Sequence, residues 1–428
     1  MRTLTSMILM TLLGIALLAC TNPEIVKSIE SENNNKNSPE SSTFDEGEDW
    51  EAKFGDKIII SSALDNSFPY ELDSILKLGE GSGLKGYLRD PNDSVFLSLA
   101  DEEYLYLVLT RNSPDFFQPK LLKILRYSIN EKAFTTLLTL PDEPNVLFHQ
   151  LMIAKQKLIM SYSFENDLND GLIYVRYGVI DKTGLSEFAR TVHENLFFIT
   201  GPPFTINQEL YFATNEFDEN NQISVATIKH IQVDDQVVTL ENAPQYSPLE
   251  EQFVGANWVL YNVSAHNDLV YGILYDSEKP YLTLNQNRIE LSSNQTIKPV
   301  NVGILADLIF VQYRDLNKPQ SMGYFEAYNL NGELVDRYVI SEFLADFKSI
   351  DATRLGVTLN EPFAQDLAIK PTGYLAFTDG QLTLYELPDI FYRRAGIRTL
   401  DDGFTVGVSI SSPEDMIYIF RNKETKGK

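Results

Sequence analysis

The chain is short of cysteine and of basic residues, and each shortage excludes a class of protein. Its 428 residues include one cysteine, so no disulfide can form within the chain and a folded domain must be stabilised by packing. Lys and Arg total 35 against 60 Asp and Glu, which gives a net charge of -25. Nucleic acid and anionic lipid both bind through basic faces, so we expect no nucleic-acid partner and no adhesion to membranes by charge.

A long hydrophobic run is missing as well. The stretch Met7–Ala19 is almost wholly apolar, but it is shorter than the about 20 residues that a membrane span needs. It follows a basic start at Arg2 and ends at Cys20, the only cysteine. A basic start, a short apolar core and a small-residue exit are typical of a secretory signal peptide. We therefore predict that residues 1–19 are a signal peptide.

The end of this run carries a more specific pattern. Leu17–Cys20 reads LLAC, which resembles the lipobox of bacterial lipoproteins. The resemblance implies cleavage before Cys20, a diacylglycerol on its thiol and usually an acyl chain on the new amine. It makes Cys20 the predicted lipid-attachment site and the membrane a partner through that anchor. It also implies an extracytoplasmic place in the cell envelope, and Thr21, where Asp often retains lipoproteins at an inner membrane, favours an outer membrane if the cell has one.

The next segment, residues 20–52, is predicted to be a lipidated, disordered tether. It is rich in Asn, Ser and Glu and has too few apolar residues to form a core. A flexible coil of about 30 residues spans roughly 30 Å. The folded domain would therefore stand just clear of the membrane.

From residue 53 to 428 the sequence is typical of strands and turns. Short runs of β-branched and aromatic residues alternate with clusters of Asn, Asp, Gly and Pro. A repeat of about 40–55 residues with three or four strands is the period of a β-propeller blade. We therefore predict an all-β fold, a β-propeller of about seven blades, with six or eight left open and a pair of irregular β-sandwiches as the alternative. Strand–turn–strand units begin at Tyr104, Leu158, Leu210, Leu269, Leu308, Tyr374 and Phe404.

Two local predictions refine this picture. Ser341–Ser349 has apolar residues at helical spacing after a serine that could cap a helix, so it is the best helical candidate. The strand Lys57–Ser61 is predicted to complete the last blade, begun by Phe404–Phe420, and so to close the ring. With its lipobox and strand repeat, the chain resembles the broad class of bacterial lipoproteins that carry propeller-like domains.

Candidate catalytic and metal-binding motifs are weak. Gly81–Gly86 matches G-x-G-x-x-G, but a turn follows it where a dinucleotide site needs a helix. No G-x-S-x-G turn is present, and the histidines are too far apart in sequence to form a local zinc site. We therefore predict no cofactor and leave catalytic and metal-binding residues unassigned. The four histidines are His149, His193, His230 and His266.

Three further features each have a structural and a functional interpretation. The acidic loops Asp167–Gly171 and Asp218–Asn220 could bind calcium, although solvated turns are expected there in any case. Trp258 could stack on a sugar or lie in the core. Arg393 and Arg394 could clamp an anion or form solvated ion pairs.

The sequence favours a membrane-anchored binding or scaffold module, with an envelope protein or polymer as its ligand. The alternative is a hydrolase or lyase that acts on an envelope or extracellular polymer through carboxylates at the propeller mouth. Fold alone does not decide between the two, because propellers host both.

Replacing the predicted lipid-attachment residue tests the anchor. Cys20→Ser should release the protein from the membrane or leave it as an uncleaved precursor, because stable anchoring needs two or more acyl chains. Labelled palmitate should enter the wild-type protein and not the variant. Undiminished incorporation into the variant would refute the prediction.

Overall fold

The computed structural model describes the chain from Ile60 to Lys423 with gaps. The described ranges are 60–63, 68–77, 93–111, 119–140, 145–154, 157–164, 176–180, 191–192, 197–199, 203–217, 223–234, 237–247, 259–275, 279–293, 296–315, 323–340, 344–359, 370–392, 395–400, 402–408 and 416–423. Within them the structure has 30 strands and one turn of 3-10 helix at Pro244–Tyr246. The described part of the chain has no helix long and apolar enough to cross a membrane.

The strands follow one another as antiparallel meanders, which we number as units 1 to 7 in chain order. Unit 1 is β3 (Asp93–Ala100), β4 (Tyr104–Arg111), β5 (Lys120–Ser128) and β6 (Ala133–Thr139); unit 2 is β7 (Val146–Ala154), β8 (Lys157–Phe164), β9 (Arg176–Ile180) and β10 (Thr191–Val192). Unit 3 is β11 (Phe197–Ile199), β12 (Phe204–Ile206), β13 (Glu209–Phe217), β14 (Ile223–Asp234) and β15 (Val237–Asn242); unit 4 is β16 (Val259–His266), β17 (Leu269–Tyr275), β18 (Pro280–Leu284) and β19 (Asn287–Glu290).

The remaining units include the two strands that precede unit 1 in the sequence. Unit 5 is β20 (Ile297–Leu305), β21 (Leu308–Asp315), β22 (Gly323–Asn329) and β23 (Leu334–Ile340). Unit 6 is β24 (Leu344–Asp351), β25 (Arg354–Leu359), β26 (Lys370–Thr378) and β27 (Gln381–Tyr392), with β1 (Ile60–Ala63) added at its outer edge. Unit 7 is β28 (Ala395–Leu400), β29 (Gly403–Val408) and β30 (Met416–Asn422), with β2 (Tyr70–Lys77) as its outermost strand.

The units form a β-propeller, so the predicted all-β propeller fold is confirmed. The first strands of neighbouring units lie next to one another, except that β12 and β13 make these contacts in unit 3, and β28 lies beside β3. Five sheets are separate blades of four or five strands, fewer than the about seven predicted. The difference arises because units 1 and 2 share one eight-stranded sheet, in which a single residue pair, Lys120 and Leu147, joins β5 to β7.

The hydrophobic core lies between units rather than within them. Each of seven clusters of buried side chains combines residues of two successive units. One cluster joins the two ends of the described chain, because Ile417 and Ile419 of unit 7 pack with Val95 and Leu107 of unit 1. A single four-stranded sheet cannot bury both of its faces alone, so each unit depends on its two neighbours.

The strand that closes the ring is not the one that the sequence favoured. Tyr70–Lys77 pairs antiparallel with β30, whereas the predicted Lys57–Ser61 does not complete this blade: β1 begins at Ile60 and pairs in parallel with β27 of unit 6. The run of isoleucines at 58–60 suggested a buried strand, but burial at the closure comes from aromatic residues. Leu72 and Ile75 of β2 are exposed, so the sequence of this strand does not show the apolar pattern of a buried strand.

The closing strand is held by aromatic residues at its start. Phe68 stacks on Tyr374 of unit 6 with ring centroids 5.1 Å apart, and Tyr70 meets Phe404 edge-on at the same distance. The Tyr70 hydroxyl donates to Asp351 Oδ2 at 2.9 Å, and the Lys423 ammonium donates to the Phe68 carbonyl at 2.6 Å. Residues from both ends of the described chain therefore meet at one interface.

The predicted helix at Ser341–Ser349 is wrong, because β24 begins at Leu344 and occupies the described part of this segment. The strand pairing shifts between Ala345 and Lys348, which marks a β-bulge. Leu344 and Phe347 both contact the cluster between units 5 and 6. An extra residue in a strand thus reproduces the apolar spacing that suggested a helix.

Truncating one closing aromatic residue should destabilise the whole ring. Phe68→Ala should lower the free energy of unfolding by about 3–5 kcal/mol, the usual cost of removing a buried phenylalanine ring. Ile75→Ala, at an exposed position on the same closing strand, should cost well under 1 kcal/mol. Denaturant unfolding of the mature chain measures both. Equal effects of the two substitutions would contradict the closure by Phe68.

Candidate functional site

The two ends of the ring differ in the connections that they carry. At the turn end, the first strand reaches the second through two or three residues, and the third reaches the fourth through two to four, except for ten residues between β9 and β10. At the loop end, the second strand connects to the third and each unit to the next, with 11 residues between β8 and β9 and ten between β25 and β26. Binding residues often lie on loops that a rigid scaffold positions, so the loop end is the candidate binding surface.

The acidic loops and several other sequence candidates fall on loop-end connections. Asp167–Gly171 lies between β8 and β9, and Asp218–Asn220 lies between β13 and β14. Their side chains are outside the described residues, so their predicted calcium binding stays a prediction. The same holds for Cys20, Gly81–Gly86, His193, Trp258, Arg393 and Arg394, and for the boundaries of the signal peptide and the tether.

The centre of the ring contains a repeated irregularity. In five units the pairing of the first strand with the second shifts by an extra residue or two, which redirects the side chains there. Three polar side chains near these shifts bond to the backbone of a neighbouring unit. The shifts lie between Leu97 and Leu99, Phe148 and Gln150, Tyr261 and Ser264, Pro299 and Asn301, and Ala345 and Lys348.

The bonds to neighbouring backbone connect units that are successive in the ring. Asn262 Nδ2 of unit 4 donates to the Val300 carbonyl of unit 5 at 2.5 Å. Asn301 Nδ2 of unit 5 donates to the Leu344 carbonyl of unit 6 at 3.0 Å. Arg398 Nε of unit 7 donates to the Ser98 carbonyl of unit 1 at 2.9 Å, across the closure. These side chains hold the inner strands together, and the sequence analysis missed all of them.

His149 occupies one of the five shifts. Its Nε2 lies 2.9 Å from Ser163 Oγ of the next strand, and burial lowers the pKa of His149 to about 4. The pair has the composition of a nucleophile and its base. Ser163 is only 1% exposed, however, so its hydroxyl is closed to a substrate in this conformation. The pair therefore serves packing in unit 2.

The other two described histidines pair with carboxylates. His230 Nε2 lies 3.1 Å from Glu209 Oε2, and its ring stacks on Tyr211. His266 Nε2 lies 3.5 Å from Asp307 of the next unit. No group of three His, Cys, Asp or Glu side chains suited to a metal ion occurs among the described residues.

The most buried described carboxylate lies in unit 5. Glu326 is 1% exposed, and it accepts hydrogen bonds from the Tyr313 hydroxyl at 2.5 Å, the Tyr328 hydroxyl at 2.6 Å and Arg337 Nε at 3.1 Å. Burial, and then the Glu326 charge, raise the pKa of Tyr313 and of Tyr328, so both stay protonated donors. The Glu326 carboxylate is thus enclosed by donors, as expected for a structural group. Its one sequence signal was a glutamate between Tyr324 and Tyr328 in strand alternation.

A second buried carboxylate stands at the loop end of unit 1. Asp93 Oδ1 accepts from Arg111 Nε at 2.7 Å, and Asp93 Oδ2 accepts from an Arg111 terminal nitrogen at 3.3 Å. The two residues face each other as neighbours on β3 and β4. This two-point ion pair joins β3 to β4 at the loop end of unit 1.

Two small apolar surfaces are exposed on outer strands. Leu334 is 41% exposed and Val335 is 55% exposed on β23, next to Leu330 in the preceding turn. Leu72 and Ile75 are exposed on β2. Single exposed apolar residues are normal on protein surfaces, and these few do not define a partner site.

Acid titration tests whether His149 is buried and neutral in the folded protein. Because the folded pKa is about 4 and the ordinary value 6.5, the unfolded chain takes up the proton first as the pH falls. The contribution of neutral His149 is therefore fully present above pH 6.5 and is lost as the pH falls towards 4. Wild type should lose up to about 2 kcal/mol more of its unfolding free energy than His149→Gln between pH 7.5 and pH 5. Parallel pH profiles of the two proteins would contradict this.

Comparison with known proteins supplies remote similarities only. No protein-family model matches the chain, and no curated protein matches it. A chain in a crystal structure of the mitotic checkpoint complex is similar over 90% of this chain and 97% of its own length, with 10% identity and a TM-score of 0.43. The β-propeller domain of the trilobed protease from Pyrococcus furiosus is similar over 77% and 96%, with 10% identity and a TM-score of 0.43. A puromycin-hydrolysing peptidase from Mycobacterium tuberculosis is similar over 79% and 60%, with 10% identity and a TM-score of 0.36.

Proposed function

We propose that the protein is a membrane-tethered binding or scaffold module of the cell envelope, and that its loop end takes an envelope protein or polymer as ligand. The observation that carries the proposal is the separation of the two ends: apart from the ten residues between β9 and β10, the long connections between strands leave from one end of a closed ring. Such a ring positions variable segments without changing its own packing.

The chemistry of the described interior supports binding rather than catalysis. The buried carboxylates of Glu326 and Asp93 accept from tyrosine and arginine donors, and the imidazole of His149 lies against a buried serine. Amides near the strand shifts bond to neighbouring backbone. These groups stabilise the ring, whereas the hydrolase or lyase of the alternative would need exposed carboxylates from the connections.

The direction of the terminal strands supports the same assignment. β1 runs parallel to β27, which starts at Gln381 directly after a turn-end connection. The Ile60 end of β1 therefore lies at the turn end, and β30 also ends there, close to Lys423. A lipid on Cys20 would thus pull on the turn end and leave the loop end free for a ligand.

Site-specific crosslinking tests which end binds. Asn145 is exposed at the loop end and Asn130 is exposed at the turn end of the neighbouring unit, so Asn145→Cys and Asn130→Cys are matched variants. In the lipidated protein Cys20 is consumed, so a photocrosslinker reacts only with the new thiol. Irradiation in intact membranes should give a discrete adduct from the loop-end variant and none from the turn-end variant.

Two results would contradict the proposal. Adducts of equal yield from both variants, or from Asn130→Cys alone, would remove the loop end as the binding surface. Breakdown of envelope polymer by purified protein would favour the hydrolase or lyase instead.

A further inference from the structure

The N-terminal segment attaches to the ring at two places of different kind. β1 lies along the outer edge of β27 in the only parallel pairing of the described strands, with four residue pairs from Ile60 and Thr383 to Ala63 and Glu386. β2 then takes the outermost place in the next unit, with seven residue pairs on β30. The first attachment adds a fifth strand, whereas the second completes a four-stranded blade.

The second attachment is built into the core. Phe68 and Tyr70 pack into the aromatic cluster between units 6 and 7, and Leu76 packs into the cluster between units 7 and 1. Tyr70 also bonds to Asp351, and Lys423 bonds to the Phe68 carbonyl. Ring closure therefore rests on β2.

The edge that β1 covers is formed without it. Leu382 and Leu384 of β27 are buried in the cluster between units 5 and 6, and Tyr385 stacks on Tyr374 of the neighbouring strand β26. The β27 backbone is thus fixed by its own unit and its neighbours. An edge strand in a fixed position presents N–H and C=O groups that an extended peptide can bind by strand addition.

We propose that the outer edge of β27 at Thr383–Glu386 is a strand-acceptor site for an extended peptide running parallel to β27. The chain fills this site with its own segment Ile60–Ala63, and the ring stays closed when the segment leaves. Departure of β1 frees residues 60–67, which at about 3.3–3.6 Å per residue lengthens the tether by up to about 25–30 Å. The site lies on the rim and is separate from the loop end.

Backbone substitutions separate the two attachments. Along a strand the N–H groups alternate in direction, so one of two adjacent residues donates towards its partner strand, and proline removes that donor. The double variant Ser61→Pro/Ser62→Pro should therefore release β1, and Ser74→Pro/Ile75→Pro is the matched change in β2. Hydrogen exchange of the full mature chain, followed by mass spectrometry, reads the result.

In the β1 variant those amides of residues 383–386 that face β1 should exchange at least 10-fold faster, while those of 70–77 and 416–422 keep their wild-type rates. In the β2 variant exchange should rise throughout units 6, 7 and 1, or the protein should fail to fold. If the β1 variant fails to fold, or loses protection in residues 70–77, β1 is part of the closure and the proposal is wrong.

A peptide tests the acceptor site itself. The synthetic peptide DKIIISSALDN, residues 56–66, should restore slow exchange at residues 383–386 when it is added in excess to the Ser61→Pro/Ser62→Pro variant. A peptide of the same composition in scrambled order should not. Equal protection by both peptides, or by neither, would refute a strand-acceptor site at this edge.

Discussion

Burial between neighbouring units is the constraint on which the rest of this structure depends. The clusters of buried side chains lie between successive units, so every unit needs a neighbour on each side and the first must meet the last. The chain meets this demand with the segment from Phe68 to Lys77, which enters between units 6 and 7 and completes the last sheet. Packing alone stabilises the ring, because a single cysteine cannot form a disulfide within the chain.

Polar groups in the interior follow the same constraint. A bulge in an inner strand leaves backbone groups outside the regular ladder, and these groups need partners. Asn262 and Arg398 donate to the carbonyls of Val300 and Ser98, which lie within such shifts, and Asn301 donates to the Leu344 carbonyl beside another. Glu326 plays a comparable part inside unit 5, where two tyrosines and Arg337 satisfy its carboxylate. These polar contacts therefore join strands of the ring to one another.

The strand repeat could be predicted from the sequence because alternation and turn residues are local signals. Ring closure could not, because it depends on which early strand supplies aromatic contacts to units 6 and 7, and the isoleucines at 58–60 gave the stronger local pattern. The bulge in β24 places apolar residues at helical spacing. A local sequence pattern cannot reveal this, because it assumes that a strand is regular. Among the candidate residues, His149 stood out by type, but its pairing with Ser163 depends on strand register. Glu326 and Asn301 were missed because single polar residues within apolar strands have no signature until their partners are placed.

An engineered disulfide tests the closure most directly. Lys77 of β2 and Met416 of β30 are direct neighbours in the antiparallel pairing, and directly opposed residues in such ladders lie about 4.5–5.5 Å apart at Cα, within reach of a disulfide. In a Cys20→Ser background, Lys77→Cys/Met416→Cys would hold the only two thiols of the chain. These two cysteines should form an intramolecular disulfide in the folded protein, and its reduction should lower the melting temperature. Two free thiols after oxidation of the folded protein, with neither crosslink nor change in melting, would contradict the closure of the ring by Tyr70–Lys77.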